Sequence, residues 1–177
     1  MTGLSIDDHV IVEIACIVTD ADLAPLDEGI DLVTHASADE LSRMDDFVKN
    51  MHTKSGLLPE IQASVVSVAA AQERVLAYVK QHVPVPGTAP LCGNSIGVDR
   101  RFLDRYMREL DGYLHYRSID VSSLKELCRR WYPAIYRKRP GKAETHRALD
   151  DIRESIEELR YYREHLFVAP PATPPAS

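Results

Sequence analysis

The stretch "VIVEIACIVT", Val10 to Thr19, constrains the fold more than any other part of the chain. It is apolar almost without interruption and rich in β-branched residues, which suits a strand covered on both faces. Such a strand belongs in a sheet with layers packed above and below it. Glu13 interrupts the run: an acid there is near a strand end, is paired, or is functional. The Asp, Pro and Gly of "DADLAPLDEG" then form a turn, and "IDLVTHA" reads as a second strand, so the chain opens on a hairpin.

The rest alternates between helix and strand. Ser37 to Met51 reads as a polar helix, and "HTKSGLLPE" as a loop broken by Gly56 and Pro59. Apolar residues at 65, 68, 69, 75, 76 and 79 predict an amphipathic helix stopped by "VPVPG". "TAPLCGNS" is a short strand, after which Asp99 starts a helix with Phe102, Leu103, Tyr106, Met107 and Leu110 on one stripe. "HYRSIDVS" gives a further strand and "SLKELCRRW" a further helix. Beyond the basic "YRKRPGK", a long helix is predicted from about Glu144 to Leu166, its stripe being Ala148, Ile152, Ile156 and Leu159. This order predicts one α/β domain over residues 1–168, a mixed sheet flanked by helices. The tail "APPATPPAS", residues 169–177, can neither pack nor pair its backbone and is expected to be disordered.

Bulk properties narrow the function. At 177 residues and 45% hydrophobic composition the chain suits one domain with a sizeable core. A formal net charge of -6 argues against a protein that coats long nucleic acid with a broad basic face. A short anionic substrate remains open, particularly if metal ions supply the local positive charge. Cys16, Cys92 and Cys128 are widely spaced, fit neither a disulfide framework nor a zinc pattern, and read as buried free thiols. "MTGLSIDDH" lacks the features of a signal peptide, and no apolar run approaches the roughly 18 residues of a membrane helix. A soluble, cytoplasmic protein without a membrane partner is expected.

Two chemistries compete around "LCGNSIGVDRRFLDRY". Gly93-Asn94-Ser95-Ile96-Gly97 fits the G-x-S-x-G elbow, and Ser95, Asp120 and His146 follow the chain order of an α/β-hydrolase triad. Against that reading, no HGGG-type stretch completes an oxyanion hole and Asp120 lies within a strand. The other chemistry is metal-assisted phosphodiester hydrolysis, which needs carboxylates converging from separate elements and a base for the attacking water. Asp99 is one candidate. In "HRALDDIRES", Asp150 shares a face with Arg147, Arg153 and Glu154, whereas Asp151 sits with Ala148, Ile152 and Ser155 at the edge of the buried stripe. Asp151 is therefore the inward acid, and His146 just before it is the candidate base.

"GNSIGVDRRFL", "HYRSIDVSSLKELCRRWYP" and "HRALDDIRESIEELRYYREH", with "MTGL", "VIVEIACIVTDADL" and "MDDFVKNMHTKSGL", strongly resemble the oligoribonuclease family of DEDDh 3′ to 5′ exonucleases. The resemblance runs from Met1 to about Phe167 and implies an RNase H-like fold, a homodimer, Mg2+ or Mn2+ as cofactor, and short RNA as substrate. It also implies Asp99 and Asp151 as metal ligands and His146 as general base. Ser95, Arg117 and Ser122 match a cap on the 5′ phosphate, for which hydroxyls and a guanidinium are apt. Tyr116 matches a tyrosine that enters the neighbouring subunit's site, Leu4 an apolar wedge against the bases, and His52 a substrate contact. Phe47 stands where the family commonly has tryptophan, keeping a stacking face of smaller area.

One departure bears on activity. The family carries an Asp-x-Glu pair immediately before Met-Thr-Gly-Leu, and this sequence begins at that methionine. Either the native start lies upstream or the chain is shortened. With Asp99 and Asp151 alone, two divalent ions would be under-neutralised, so the 177 residues are expected to bind short RNA weakly and cleave it poorly. An upstream Asp-x-Glu is expected to restore hydrolysis. A non-catalytic dimeric module that binds short nucleotides is the alternative from a different class.

Overall fold

The computed structural model describes residues 1–141 and 146–168. The start of the final helix near Glu144 and the expected disorder of residues 169–177 lie outside the described residues.

Two ladders carry the strands. β1 (Glu13–Cys16) pairs antiparallel with β2 (Ile30–Val33), Glu13 facing Val33 and Cys16 facing Ile30, so the opening hairpin is present. β3 (Pro90–Gly93) pairs parallel with β4 (His115–Asp120), Gly93 facing Asp120. Among the described residues the two pairs stand as separate ladders, one antiparallel and one parallel. The opening apolar run is covered on both faces: Ile11 joins the cluster of Leu32, Val75, Val79, Phe102 and Leu110, whereas its neighbour Val12 joins Ala36, Leu57 and Ile61. Ile11 and Val12 lie just ahead of β1, which is shorter than the Val10–Thr19 strand the sequence predicts, and these adjacent positions feed two different cores.

Local chemistry sets the helix starts. Ser37 and Glu40 form a capping box on α1 (Ala38–Ser42), and the Asp45 side chain caps α2 (Asp46–Lys54). After α3 (Leu57–Ala63), the Ser67 hydroxyl accepts the Ala70 N–H and starts α4 (Val68–His82). Val65, placed in that helix by the sequence pattern, is instead exposed, because the backbone before Ser67 is drawn away by the His35 N–H, which donates to the Val66 carbonyl. The single helix read from Asp99 is two: α5 (Gly97–Tyr106) and α6 (Arg108–Tyr113) meet at Met107, whose φ of -137° is not helical. Their apolar stripe survives the break, since Phe102, Leu103, Met107 and Leu110 share one cluster.

α7 (Val121–Trp131) follows β4 directly, capped by the Asp120 carboxylate, and α8 (Pro133–Arg137) begins on a proline. α9 (Ala148–Leu166) packs on β1, β2 and β3 and on α7, and so lies across both ladders. Its most buried residues are not the expected aliphatic stripe but Ser155, Glu158 and Tyr162, three and four positions apart on one face. Of the cysteines, all free, Cys128 is buried, Cys16 half-buried and Cys92 exposed, which corrects the expectation that all three are interior. Gly3 has a steric cause: a Cβ there would lie 2.4 Å from His9 Nε2.

Candidate active site

Glu13, at the first position of β1, is paired. Its Oε1 accepts from Arg147 Nε at 2.8 Å and its Oε2 from the Ala148 N–H at 3.0 Å. Arg147 also reaches Glu60 on α3 with both terminal nitrogens, at 2.9 Å each. Glu13 thus ties β1 to the N-terminus of α9, where unpaired N–H groups favour a negative partner. With both oxygens engaged, it is an anchor for that helix rather than a free carboxylate for a metal.

The anchor sits among the acids and imidazoles singled out in the sequence. The Met1 α-amino group has a pKa lowered to about 6 by burial, against the opposing influence of Glu13 and Asp99, which favour its charged form. His52 is buried, and its Nε2 donates to the Met1 carbonyl at 3.0 Å, which assigns the ring proton to that nitrogen. His52 Nδ1 has no hydrogen-bond partner among the described residues. Burial lowers the His52 pKa, and the ring also feels the charges of Met1, Glu13 and His146. Met1, Glu13, His52, Asp99 and His146 therefore occupy one electrostatic neighbourhood at the mouth of α9.

Asp99 lies in the first turn of α5, half-buried, and burial is the main cause of its raised pKa. Asp151 lies in the first turn of α9, its N–H donating to the Arg147 carbonyl at 3.0 Å, whereas Asp150 sits 3.7 Å from Arg153 Nη1 on the exposed face. His146 is exposed and has φ +52°, a left-handed conformation unusual outside glycine. Among the described residues no group of three or more His, Cys, Asp or Glu side chains is arranged to hold a metal ion. Asp99 and Asp151 offer the hard oxygen donors that divalent ions such as Mg2+ or Mn2+ take, so the donor chemistry fits a divalent ion.

The serine triad does not form. Asp120 Oδ1 accepts from the Ser95 N–H and the Ser122 N–H, each at 2.9 Å, so it anchors backbone rather than orienting an imidazole. The Ser95 hydroxyl lies 3.0 Å from that of Ser122, and among the described residues no hydrogen bond joins Ser95 or Asp120 to His146. A nucleophile needs its base within hydrogen-bond reach. What the glycine-flanked serine builds instead is a pair of adjacent hydroxyls, with Ser95 at φ +57° and Asp120 fixing both backbones.

The other sequence-derived residues fall on several elements. Arg117 and Tyr116 project from β4, both exposed, with the guanidinium 5.2 Å from the Tyr116 ring centroid and His115 stacked on that ring at 4.5 Å. Leu4 and Phe47 are exposed, at 67% and 74%, so neither belongs to the core. Sequence reading passed over Asn94, Glu60 and Arg147 as site residues; the only signal was their position inside or beside the motifs, because their partners lie far away in the chain.

Comparison with known proteins agrees over most of the length. The exonuclease family pattern matches residues 1–159. An oligoribonuclease of Rhodococcus jostii (strain RHA1) is 57% identical over 171 residues, covering 97% of this chain and 86% of the relative. Oligoribonucleases of Streptomyces griseus and Mycobacterium avium (strain 104) are 57% and 56% identical over 97% of this chain, and 85% and 80% of their own lengths.

Proposed function

This chain belongs to the exonuclease family, and on that premise we propose that it is a metal-dependent 3′ to 5′ exoribonuclease that hydrolyses dinucleotides and very short oligoribonucleotides in the cytoplasm. The observation that carries the proposal is the Ser95–Ser122 hydroxyl pair, 3.0 Å apart and anchored by Asp120. Two hydroxyls side by side, with the Arg117 guanidinium on β4, suit a terminal phosphate, and a cap on that phosphate would favour short chains. Leu4 and Phe47, exposed and apolar, suit contact with base faces, and His52 is buried with its Nε2 on the Met1 carbonyl.

Asp99 and Asp151 would hold the divalent ion, Mg2+ or Mn2+, which when bound offsets phosphate charge and favours ionisation of the attacking water. His146 takes the proton from that water. A second reading keeps the same hydroxyl pair in a dimeric module that binds short nucleotides without turning them over.

One assay separates these readings: incubation with pApA and Mn2+, with and without chelator, and then with a serine-trapping phosphonate. Cleavage abolished by chelator is the expected result. Binding without turnover supports the module, and phosphonate labelling of Ser95 overturns both.

A homodimer is part of the proposal. Leu127 and Trp131, four positions apart on α7, share one exposed face, with Tyr132 beside them and Tyr116 76% exposed on β4. No helix among the described residues is long and apolar enough to cross a membrane, so a lipid bilayer does not claim this surface through a spanning helix. Sedimentation equilibrium is expected to give the mass of two 19.9 kDa chains, and Trp131→Glu to give one. An unchanged dimer in Trp131→Glu would move the interface elsewhere.

A further inference from the structure

A hydrogen-bond chain runs from the hydroxyl pair into α9. Ser122 Oγ donates to Asn94 Oδ1 at 3.2 Å. Asn94 Nδ2 donates to Ser155 Oγ at 2.9 Å and to Glu158 Oε2 at 3.3 Å. Ser155 Oγ in turn donates to the main-chain carbonyl of Asp151 at 2.8 Å. The far end is braced: Glu158 is 4% exposed, and it accepts from the Tyr162 hydroxyl and from Lys125 Nζ, each at 3.0 Å. A carboxylate only accepts, so Glu158 fixes which end of the Asn94 amide faces α9.

The proton count gives this chain two states. Each serine hydroxyl carries one proton. With the cap empty, Ser122 spends its proton on Asn94 Oδ1, and the Ser95 proton can bridge to Ser122 Oγ. A phosphate brings acceptor oxygens, so both hydroxyls must turn their protons outward to bind it. Asn94 Oδ1 then loses its donor. A half-buried amide oxygen stripped of its partner is costly, so the side chain readjusts, and its other end holds Ser155 and, through it, the Asp151 carbonyl.

We propose that Asn94 is a positioning residue that transmits occupancy of the Ser95–Ser122 pair to Asp151 through Ser155, so that a 5′-phosphorylated short oligonucleotide, unlike its unphosphorylated counterpart, resets the first turn of α9. The inference rests on the reading of Ser95 and Ser122 as a phosphate cap.

The test is a pair of titrations of the full chain, with pApA and with ApA, followed by amide resonances in 1H–15N spectra. In the unchanged protein, pApA is expected to shift Ser95 and Ser122 and also Asp151 and Ser155, whereas ApA leaves all four in place. In Asn94→Ala, pApA still moves the cap resonances but the α9 response is lost. Ser155→Ala cuts the same link from the other side, so a poorly folded Asn94 variant does not end the test. Persistence of the Asp151 shift in both variants overturns the coupling, as does a response confined to the cap in the unchanged protein. Failure of pApA to move Ser95 and Ser122 at all is a different outcome: it overturns the cap reading, and the coupling with it.

Discussion

Replacing His146 with alanine is expected to lower the single-turnover rate of dinucleotide cleavage by about 10²–10⁴-fold, the usual contribution of a positioned general base, with little change in pApA affinity. The expectation comes from backbone as well as side chain. His146 is held at φ +52°, a conformation that costs a non-glycine residue on the order of 1–3 kcal/mol and persists only where neighbours impose it. The next residue supplies the constraint, because Arg147 is fixed by Glu60 and Glu13 and the Ala148 N–H is tied to Glu13. His146→Gly separates the two roles: glycine adopts this φ without strain, so cleavage should fall as far as in the alanine variant while thermal stability is kept. His115→Ala, on β4, serves as control and should leave the chemical step unchanged. A His146→Ala variant that binds pApA weakly but cleaves bound pApA at the original rate would assign the imidazole to substrate holding.

Much of this arrangement was legible in the sequence, and the boundary of legibility has a physical cause. The apolar run is readable as a segment covered on both faces, and Ile11 and Val12 do enter opposite cores, although the strand itself is only Glu13–Cys16. The α/β class followed, and family membership supports the RNase H-like form of it. The break at Met107 was not legible: the apolar spacing continues through it, and only the backbone changes. The inner face of α9 was misread for a related reason. Ser155 and Glu158 can face inward because Asn94 and Lys125, from just past β3 and from α7, satisfy them, and Tyr162 because its hydroxyl donates to Glu158; no pattern local to the helix reveals Asn94 or Lys125. Asp120 misled in the opposite way. Its place in a Ser, Asp, His order suggests a triad, whereas its carboxylate accepts from the backbone N–H groups of Ser95 and Ser122.

Glu13→Ala is expected to destabilise the fold by about 3 kcal/mol, the low end of the cost of breaking a buried ion pair, because Arg147 retains Glu60. For a domain of this size that corresponds to a fall in Tm of roughly 6–12 °C. The Glu13 side chain is only 6% exposed, so water cannot replace it for either the Arg147 Nε–H or the Ala148 N–H. Glu60→Ala is the matched control. It removes the two-pronged partner of the same guanidinium, but Glu60 is 46% exposed and water can take its place, so the loss should stay within about 1 kcal/mol. Geometry alone would rank these the other way, since Glu60 makes two bonds to Arg147 and Glu13 makes one; burial decides the order. Glu13→Leu combined with Arg147→Met should recover only part of the stability, because it removes both charges together but leaves the Ala148 N–H without its acceptor. The double variant should nonetheless lose cleavage, because nothing then holds His146 in its left-handed conformation at the start of α9. Urea unfolding followed by circular dichroism measures the three stabilities, and equal losses for Glu13→Ala and Glu60→Ala would remove Glu13 from its place as the anchor.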